Sequence, residues 1–361
     1  MVNLKVEIDG NTYPLFIGNN ILGKLAEIYK LYGYKSRVAV ITDFKFDNRY
    51  FKIIYEDFKK HDIEIIPIYI GSQRFKDGLL PVQQIAHRLV EIQFQPDETI
   101  FSLGGSYVNN MSAFVAKMMY SGVAYFQIPT TLTAQIILSV DPYCRANCGS
   151  VRNLFSIQYS RNLVWNDVAL LKSLPAQNLT SGLAYIIQLA YLQDNGLFEL
   201  LEKNLTSLIK MNPGEIENFV FQCCQFRIDT LRKQSADPNN QQHLYSFGEF
   251  IASILLESTI NSIKYGSALF IGMFVEGIVA FQSGIFDSAS FERLYELLRQ
   301  VPFTFLRDRL DQQKIIKCLN NRLSAQKNPN LYLPQELGKF ILYNNYTVQD
   351  ILTAFNLFFS N

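Results

Sequence analysis

The chain is predicted to fold as an α/β domain built on a parallel sheet, followed by an all-helical domain. Three observations predict it. Short apolar runs alternate with helical stretches through the first half. The apolar runs break into Asp, Gly or Thr at their ends. After about residue 170 the helical pattern continues with no strand-like run between helices.

The opening MVNLKVEIDGNTYPLFIG alternates at period two, which reads as a strand and has none of the charge and apolar layout of a signal peptide. RVAVITD, ending in Asp43, is a run of buried-strand type, and IEIIPIYIG, ETIFSLGG and VAYFQIPTT are three more. LLPVQQIAHRLVEIQ and NNMSAFVAKMMYSG, between them, carry helical periodicity. Strand, helix, strand in this order implies a parallel sheet with helices on both faces. Such sheets bind ligands outside the carboxyl ends of their strands. Those ends carry Asp43, Gly71, Gly104, Gly105, Thr130 and Thr131. Beyond residue 170, LKSLPAQNLTSGLAYIIQLAYLQDNGLFELLEKNL, EIENFVFQCCQFRIDTLRKQ, FGEFIASILLESTINSI and SALFIGMFVEGIVAFQSG all read as helical, and SADPNNQQ reads as a polar loop. The expected domains are 1–170 and 171–361.

Composition narrows the function classes. A formal net charge of +1 gives no basic surface for nucleic acid and none for a membrane. No apolar run is expected to span a bilayer, so the cytoplasm is the expected compartment. Five cysteines, an odd number, are expected as free thiols; Cys144 and Cys148 have the spacing of a ligand pair but no third ligand near them. Only three histidines occur, His61, His87 and His243, so a histidine-based metal centre would need almost the whole set.

Five blocks then carry a resemblance. LGGSYVNNMSAFVA resembles the GGGxxxDxxGF segment of dehydroquinate synthases, and QIPTTLTAQIILSVDPYCRAN resembles their PTTLLAQxDSSVGGKxxxN. VRNLFSIQYS resembles GKNxIGxFxxP, and NDVALLKSLPAQNLTSGLAYIIQ resembles DxxxLxTLPxxxxxSGLAEVIK. FGEFIASILLESTINSIKYGSALFIGM resembles the GHTxxHAIE…HGExVxxGM block. The order holds over residues 17–338. The resemblance implies a Rossmann-like amino-terminal domain, a helical carboxyl-terminal domain, an active site between them and a homodimer. It also implies the chemistry of sugar phosphate cyclases. In that reaction NAD oxidises a hydroxyl, phosphate is eliminated, the ketone is reduced and an aldol closes the ring, with zinc or cobalt polarising the substrate oxygens.

The residues that would do this are changed. The family's three metal ligands fall on Tyr185, Glu249 and Tyr265. Phenols stay protonated near neutral pH and are weak zinc ligands, so no metal site is expected. His243 could reach the same place from the preceding loop. The lysine of EVIK is Gln188, and the phosphate-contacting GGK turn is Asp141, Pro142 and Tyr143. On the cofactor side Asp43, Gly104, Gly105, Thr130 and Thr131 remain as a residual NAD site, while the third glycine is Ser106 and the motif's acid is Asn110. A serine Cβ would crowd a pyrophosphate. Residual anion-binding potential lies in Arg152, Asn153 and Lys339.

No cofactor is therefore expected. The expected function is a divergent member that has lost the metal- and NAD-dependent cyclisation and serves as a small-molecule-binding or assembly protein, a pseudoenzyme. The other reading is an enzyme of specialised metabolism using Glu249, with Tyr185 and Tyr265, as a cofactor-independent acid or base. Expected partners are a small molecule between the domains and a second copy of the chain, with neither nucleic acid nor membrane.

Overall fold

The structure is a computed structural model; it describes residues 1–34, 37–43, 48–71, 78–148, 151–192, 196–236, 247–259, 263–301, 310–325 and 330–360. Strands β1 (Val2–Ile8) and β2 (Asn11–Gly18) form an antiparallel hairpin. Asp9 and Gly10 turn it, with φ of 49° and 77°. A two-residue loop with both φ positive is the turn that suits strand twist, and Asp-Gly is a sequence that adopts it. Next come α1 (Leu25–Leu31), β3 (Val38–Asp43), α2 (Asn48–Lys59), β4 (Ile65–Ile70), α3 (Leu80–Glu91), β5 (Thr99–Gly104), α4 (Ser106–Met118) and β6 (Ala124–Pro129). A side hairpin, β7 (Tyr143–Cys148) with β8 (Val151–Gln158), precedes β9 (Leu163–Asp167). The main sheet has seven strands in the order β1-β2-β9-β6-β5-β3-β4, parallel except for β1.

Both sheet faces are buried. Phe101 and Leu103 of β5 join Trp165, Tyr29, Phe58 and Phe126 under α1 and α2. Ile100, one residue out of phase, joins Ile41, Ile85, Leu89, Met111 and Phe114 under α3 and α4. Alternate side chains of a strand point to opposite faces, so a strand apolar at every position requires cover on both. The four apolar runs of the first half are β3, β5 and β6 inside the sheet and β4 at its edge, and the doubly covered sheet agrees with expectation.

The remaining elements are α5 (Ala176–Leu192), α6 (Gly196–Ile209), α7 (Pro213–Ala236), α8 (Glu249–Ser258), α9 (Tyr265–Gln282), α10 (Ser288–Gln300), α11 (Gln312–Ala325), β10 (Leu331–Glu336), β11 (Lys339–Tyr343) and α12 (Val348–Ser360). The described residues divide into two compact units, 1–174 with 211–236, and 175–210 with 237–361. This differs from a single cut between residues 170 and 171, because α7 returns to the sheet unit. It packs on β1 and β2. Arg232 Nε donates to Glu7 O at 3.1 Å and Cys224 Sγ to Gln135 O at 3.3 Å. Periodicity shows that a helix has an apolar face but not which layer that face covers. The second unit is helical apart from the β10–β11 hairpin, absent from the sequence reading; it turns at Gly338, whose φ is 75°. The polar loop read at SADPNNQQ falls largely on residues 237–246, outside the described residues.

One expectation needs correcting. Helix α9 is long and apolar enough to cross a membrane by length and composition. Yet 78% of that window is buried inside the protein, the mark of a core helix wrapped by others. All five cysteines are free thiols.

Candidate functional site

In the sheet unit, parallel register brings the carboxyl ends of β3, β5 and β6 side by side. Thr42 pairs with Leu103, and Gly104 with Pro129. Asp43, Gly104, Gly105, Thr130 and Thr131 therefore gather at one edge. Thr130 N donates to Gly104 O at 2.9 Å. Ala134 N donates to Thr131 Oγ1 at 3.3 Å, starting a π-helical turn, Ala134–Leu138. Such turns are rare and are frequent at functional sites.

Packing within the chain requires Gly104 and crowds Gly105. A Cβ on Gly104 would lie 2.6 Å from Val108 Cβ, and one on Gly105 would lie 3.1 Å from the Thr131 methyl. Their carbonyls are tied as well: buried Asn109 donates through Nδ2 to Gly104 O (2.7 Å) and Gly105 O (2.8 Å), while its Oδ1 accepts from Ser102 Oγ. Neither bare glycine face opens onto free space. As a cradle for a dinucleotide pyrophosphate, which needs close backbone approach, this turn does not fit. Asn109 was missed in the sequence reading; its place four residues into a helix gave no sign that its side chain turns back to the strand end.

The remodelled turn follows. Tyr143 is 38% exposed, and its N–H donates to Asp141 Oδ1 at 3.0 Å. Arg145 lies two residues on, on the same face of β7, with its guanidinium 5.6 Å from the Tyr143 ring centre. It pairs with Asp141 Oδ2 at 2.5 Å. Asn110, at the position of the motif's acid, accepts the Arg145 N–H at 2.8 Å and so anchors the strand to α4. Arg145 was also overlooked, although period two along a strand places it beside Tyr143. Arg152 and Asn153 do not join this group. The register pairs Tyr143 with Gln158 at one end of the hairpin and Cys148 with Val151 at the other. That leaves them roughly 16 Å of strand away, at about 3.3 Å per residue. Asn153 is exposed, with φ 53°, and its N–H donates to Asn147 Oδ1.

In the helical unit, α5 and α9 meet where Gly266 faces Ser181. A Cβ on Gly266 would lie 2.4 Å from Ser181 Cα. Tyr265 precedes that contact and Tyr185 follows it by one helical turn, so their rings meet, with centroids 5.7 Å apart and planes at 20°. Helices α8 and α9 touch through a second pair, since a Cβ on Gly272 would lie 2.0 Å from Gly248 O. Gly248, at φ 82°, leads into α8, and Glu249 is that helix's first residue, where the dipole favours an acid. Fully buried Glu276 of α9 caps α8: its carboxylate accepts from Gly248 N at 2.6 Å and Ile251 N at 3.1 Å. Burial pushes the Glu276 carboxyl up to about 8 against the pull of those N–H groups, and Glu249 adds to the rise. Glu276 was not singled out in the sequence, where it reads as one acid in an apolar helix.

Gln188 is buried and donates to Phe247 O at 2.7 Å, so it ties α5 to the segment entering α8. Lys339 is an exposed member of β11, paired with Glu336. His243 lies outside the described residues. Among the described residues no group of three or more His, Cys, Asp and Glu stands together as a metal site would require.

Comparison with known proteins gives a consistent result. Residues 71–181 match the family model of the 3-dehydroquinate synthase N-terminal domain, and residues 182–322 match that of the C-terminal domain. The chain is 25% identical over 360 residues to a 3-dehydroquinate synthase of Thermodesulfovibrio yellowstonii, covering 99% of this chain and 100% of that one. It is 26% identical over 359 residues to one of Dictyoglomus thermophilum, covering 98% of each. Among solved structures it is similar to 2-deoxy-scyllo-inosose synthase complexed with carbaglucose-6-phosphate, NAD+ and Co2+, at a TM-score of 0.83 and 19% identity over 95% of both chains. Similar too is 2-epi-5-epi-valiolone synthase from Streptomyces hygroscopicus subsp. jinggangensis 5008 with NAD+ and Zn2+ bound, with TM-score 0.83 and 19% identity over 100% of this chain and 99% of that one.

Proposed function

The chain belongs to the dehydroquinate synthase family, and on that premise we propose that it binds a small molecule without running the metal- and NAD-dependent cyclisation. The observation that carries this reading is the Tyr185–Tyr265 stack. Two phenols pack on each other at two of the three positions to which the resemblance assigns metal ligands. Zinc takes thiolate, imidazole and carboxylate donors, four together, whereas a phenol titrates near pH 10. One carboxylate, Glu249, and two stacked phenols do not fit that ion. The glycine turn supports the same reading on the cofactor side, because both bare faces are covered by side chains of the chain itself.

The ligand class follows from what these positions now offer. A stacked aromatic pair rewards a planar or apolar ligand at roughly 25 cal/mol for each Å² buried. A polyhydroxylated phosphate left with unpaired groups loses on the order of 1–3 kcal/mol for each.

Elemental analysis of protein saturated with zinc or cobalt and then desalted is expected to find no stoichiometric metal. The gene is expected not to restore growth without aromatic supplements in a strain lacking the normal synthase. One metal per chain, or restored growth, overturns the proposal. Turnover that survives chelation and is lost in Glu249→Gln would replace it with an acid–base enzyme. Thermal-shift screening is expected to find stabilisation by planar aromatic ligands and none by heptulosonate phosphates, with the aromatic hits weakened in Tyr185→Ala.

A further inference from the structure

The turn at residues 139–145 carries one carboxylate, Asp141, and one guanidinium, Arg145, and a second guanidinium, Arg161, grips its backbone. Arg161 is 3% exposed, and every acceptor it reaches is uncharged. Nη1 donates to Tyr13 Oη at 2.6 Å and to Ser139 O at 3.0 Å; Nη2 donates to Asp141 O at 2.5 Å and to Tyr159 Oη. Its Nε has no partner. Burial pushes the Tyr13 and Tyr159 hydroxyls to higher pKa, so neither supplies a negative charge near neutral pH. A buried cation among neutral acceptors is costly unless an anion stands close by. The Asp141 carboxylate belongs to the very residue whose carbonyl Arg161 grips. It is itself largely buried, with its side chain 10% exposed, and its two oxygens take the Tyr143 N–H and the Arg145 guanidinium.

A backbone N–H and a guanidinium converging on two oxygens of one anion is the donor set that recognises a phosphate or carboxylate group. Here that set lies in the turn to which the resemblance assigns a phosphate-contacting lysine, and its occupant is covalently part of the chain. We propose that Asp141 is a resident counter-anion that fills an oxyanion seat made by Tyr143 N–H and Arg145, in a turn whose backbone Arg161 holds, so that this turn refuses phosphorylated and other anionic ligands and takes uncharged ones. The inference rests on the reading that phosphate cyclisation has been lost, and it adds the residue that enforces the change of ligand class. A tethered carboxylate competes at a high effective concentration, so a free oxyanion cannot displace it at millimolar levels.

The test is a gain of binding. Inorganic phosphate is titrated against wild type, Asp141→Ala and the double variant Asp141→Ala/Arg145→Gln, with sodium chloride at matched ionic strength as control. Melting temperature and isothermal titration calorimetry are the readouts. Asp141→Ala is expected to bind phosphate saturably and at least about tenfold more tightly than wild type, and the double variant is expected to lose that gain. Asp141→Asn keeps the shape of the turn without the charge. It is expected to show the same gain in weaker form, and it decides the matter should the alanine variant fail to fold. Phosphate binding to wild type as tight as to the variants overturns the proposal, as does an absence of gain in folded Asp141→Asn. Neither result depends on metal content or complementation, so failure here and failure of the proposed function are separable.

Discussion

The two units have diverged in different ways. In the helical unit the backbone crossings are built on small residues: Gly266 against Ser181, and Gly272 against Gly248. There Tyr185, Glu249 and Tyr265 differ from the family pattern on helices whose contacts require those glycines. In the sheet unit the turn itself is different. Asp141 and Pro142 stand where the family pattern has two glycines, and Arg161 bolts the new path through Ser139 O and Asp141 O. A helical side chain can be replaced without moving the helix, because the backbone hydrogen bonds are made within the segment. A glycine turn cannot be treated that way, since Pro fixes φ and a Cβ closes the left-handed region.

The strongest way to break this comparison is Gly272→Ala. The added methyl would lie 2.0 Å from a backbone oxygen, with no flexible side chain to yield. Separating α8 from α9 is expected to cost about 3 kcal/mol or more. Gly105→Ala in the sheet unit, facing only a threonine methyl at 3.1 Å, is expected to cost less than about 1 kcal/mol. Denaturant unfolding of both variants checks this, and equal losses would mean that the crossings are not what holds the helical unit in place.

A second measurement sharpens the role of Glu276. Its carboxyl is raised from 4.5 in the unfolded chain to about 8 in the folded protein. The folded state therefore binds the proton more tightly than the unfolded state does. The stability this supplies is fully present below about pH 4.5 and is lost as pH rises through about 8. Unfolding free energy of wild type is expected to fall across that window, and Glu276→Gln is expected to flatten the slope while losing on the order of 1–3 kcal/mol from the cap. A wild-type curve as flat as the variant's would mean that the N–H bonds from Gly248 and Ile251 outweigh burial.

The smallest effect belongs to the stack. Tyr185→Phe keeps the ring against Tyr265 and is expected to change stability by less than about 0.5 kcal/mol. Tyr185→Ala is expected to cost about 1 kcal/mol through the lost ring contact, beyond its area. A large loss in Tyr185→Phe would move the importance from the ring to the hydroxyl.

Much of the fold was legible from local pattern. Apolar runs marked β3 to β6 as strands of a sheet covered by helices, whereas the opening segment, read as one strand, is two strands turned at Asp9 and Gly10. The motif order placed Tyr185 and Tyr265 at related positions before any geometry was known. Helix α7 was misplaced, because its period says that it has an apolar face and nothing about which unit lies beneath. The anion group was drawn too wide. Tyr143, Arg152 and Asn153 are near in sequence, but hairpin register sets them at opposite ends of β7 and β8.

The sequence by itself determined the alternating strands and helices of the first half and the helical run of the second, since these depend on periodicity along the chain, and its motifs carried the resemblance to the family. Only the tertiary structure decided what the exchanged residues now touch. Arg161, which no sequence pattern singles out, becomes the buried cation that holds the turn. Asp141 lends it a backbone carbonyl, and Glu276 becomes the cap of a helix it does not belong to. Several of these roles arise from partners far along the chain: the Asp141 carbonyl lies 20 positions from Arg161, Gly248 lies 28 from Glu276 and Tyr13 lies 148 from Arg161. Hydrogen bonds and ion pairs act over a few ångströms of space, and chain separation carries no information about that distance until the fold has closed it.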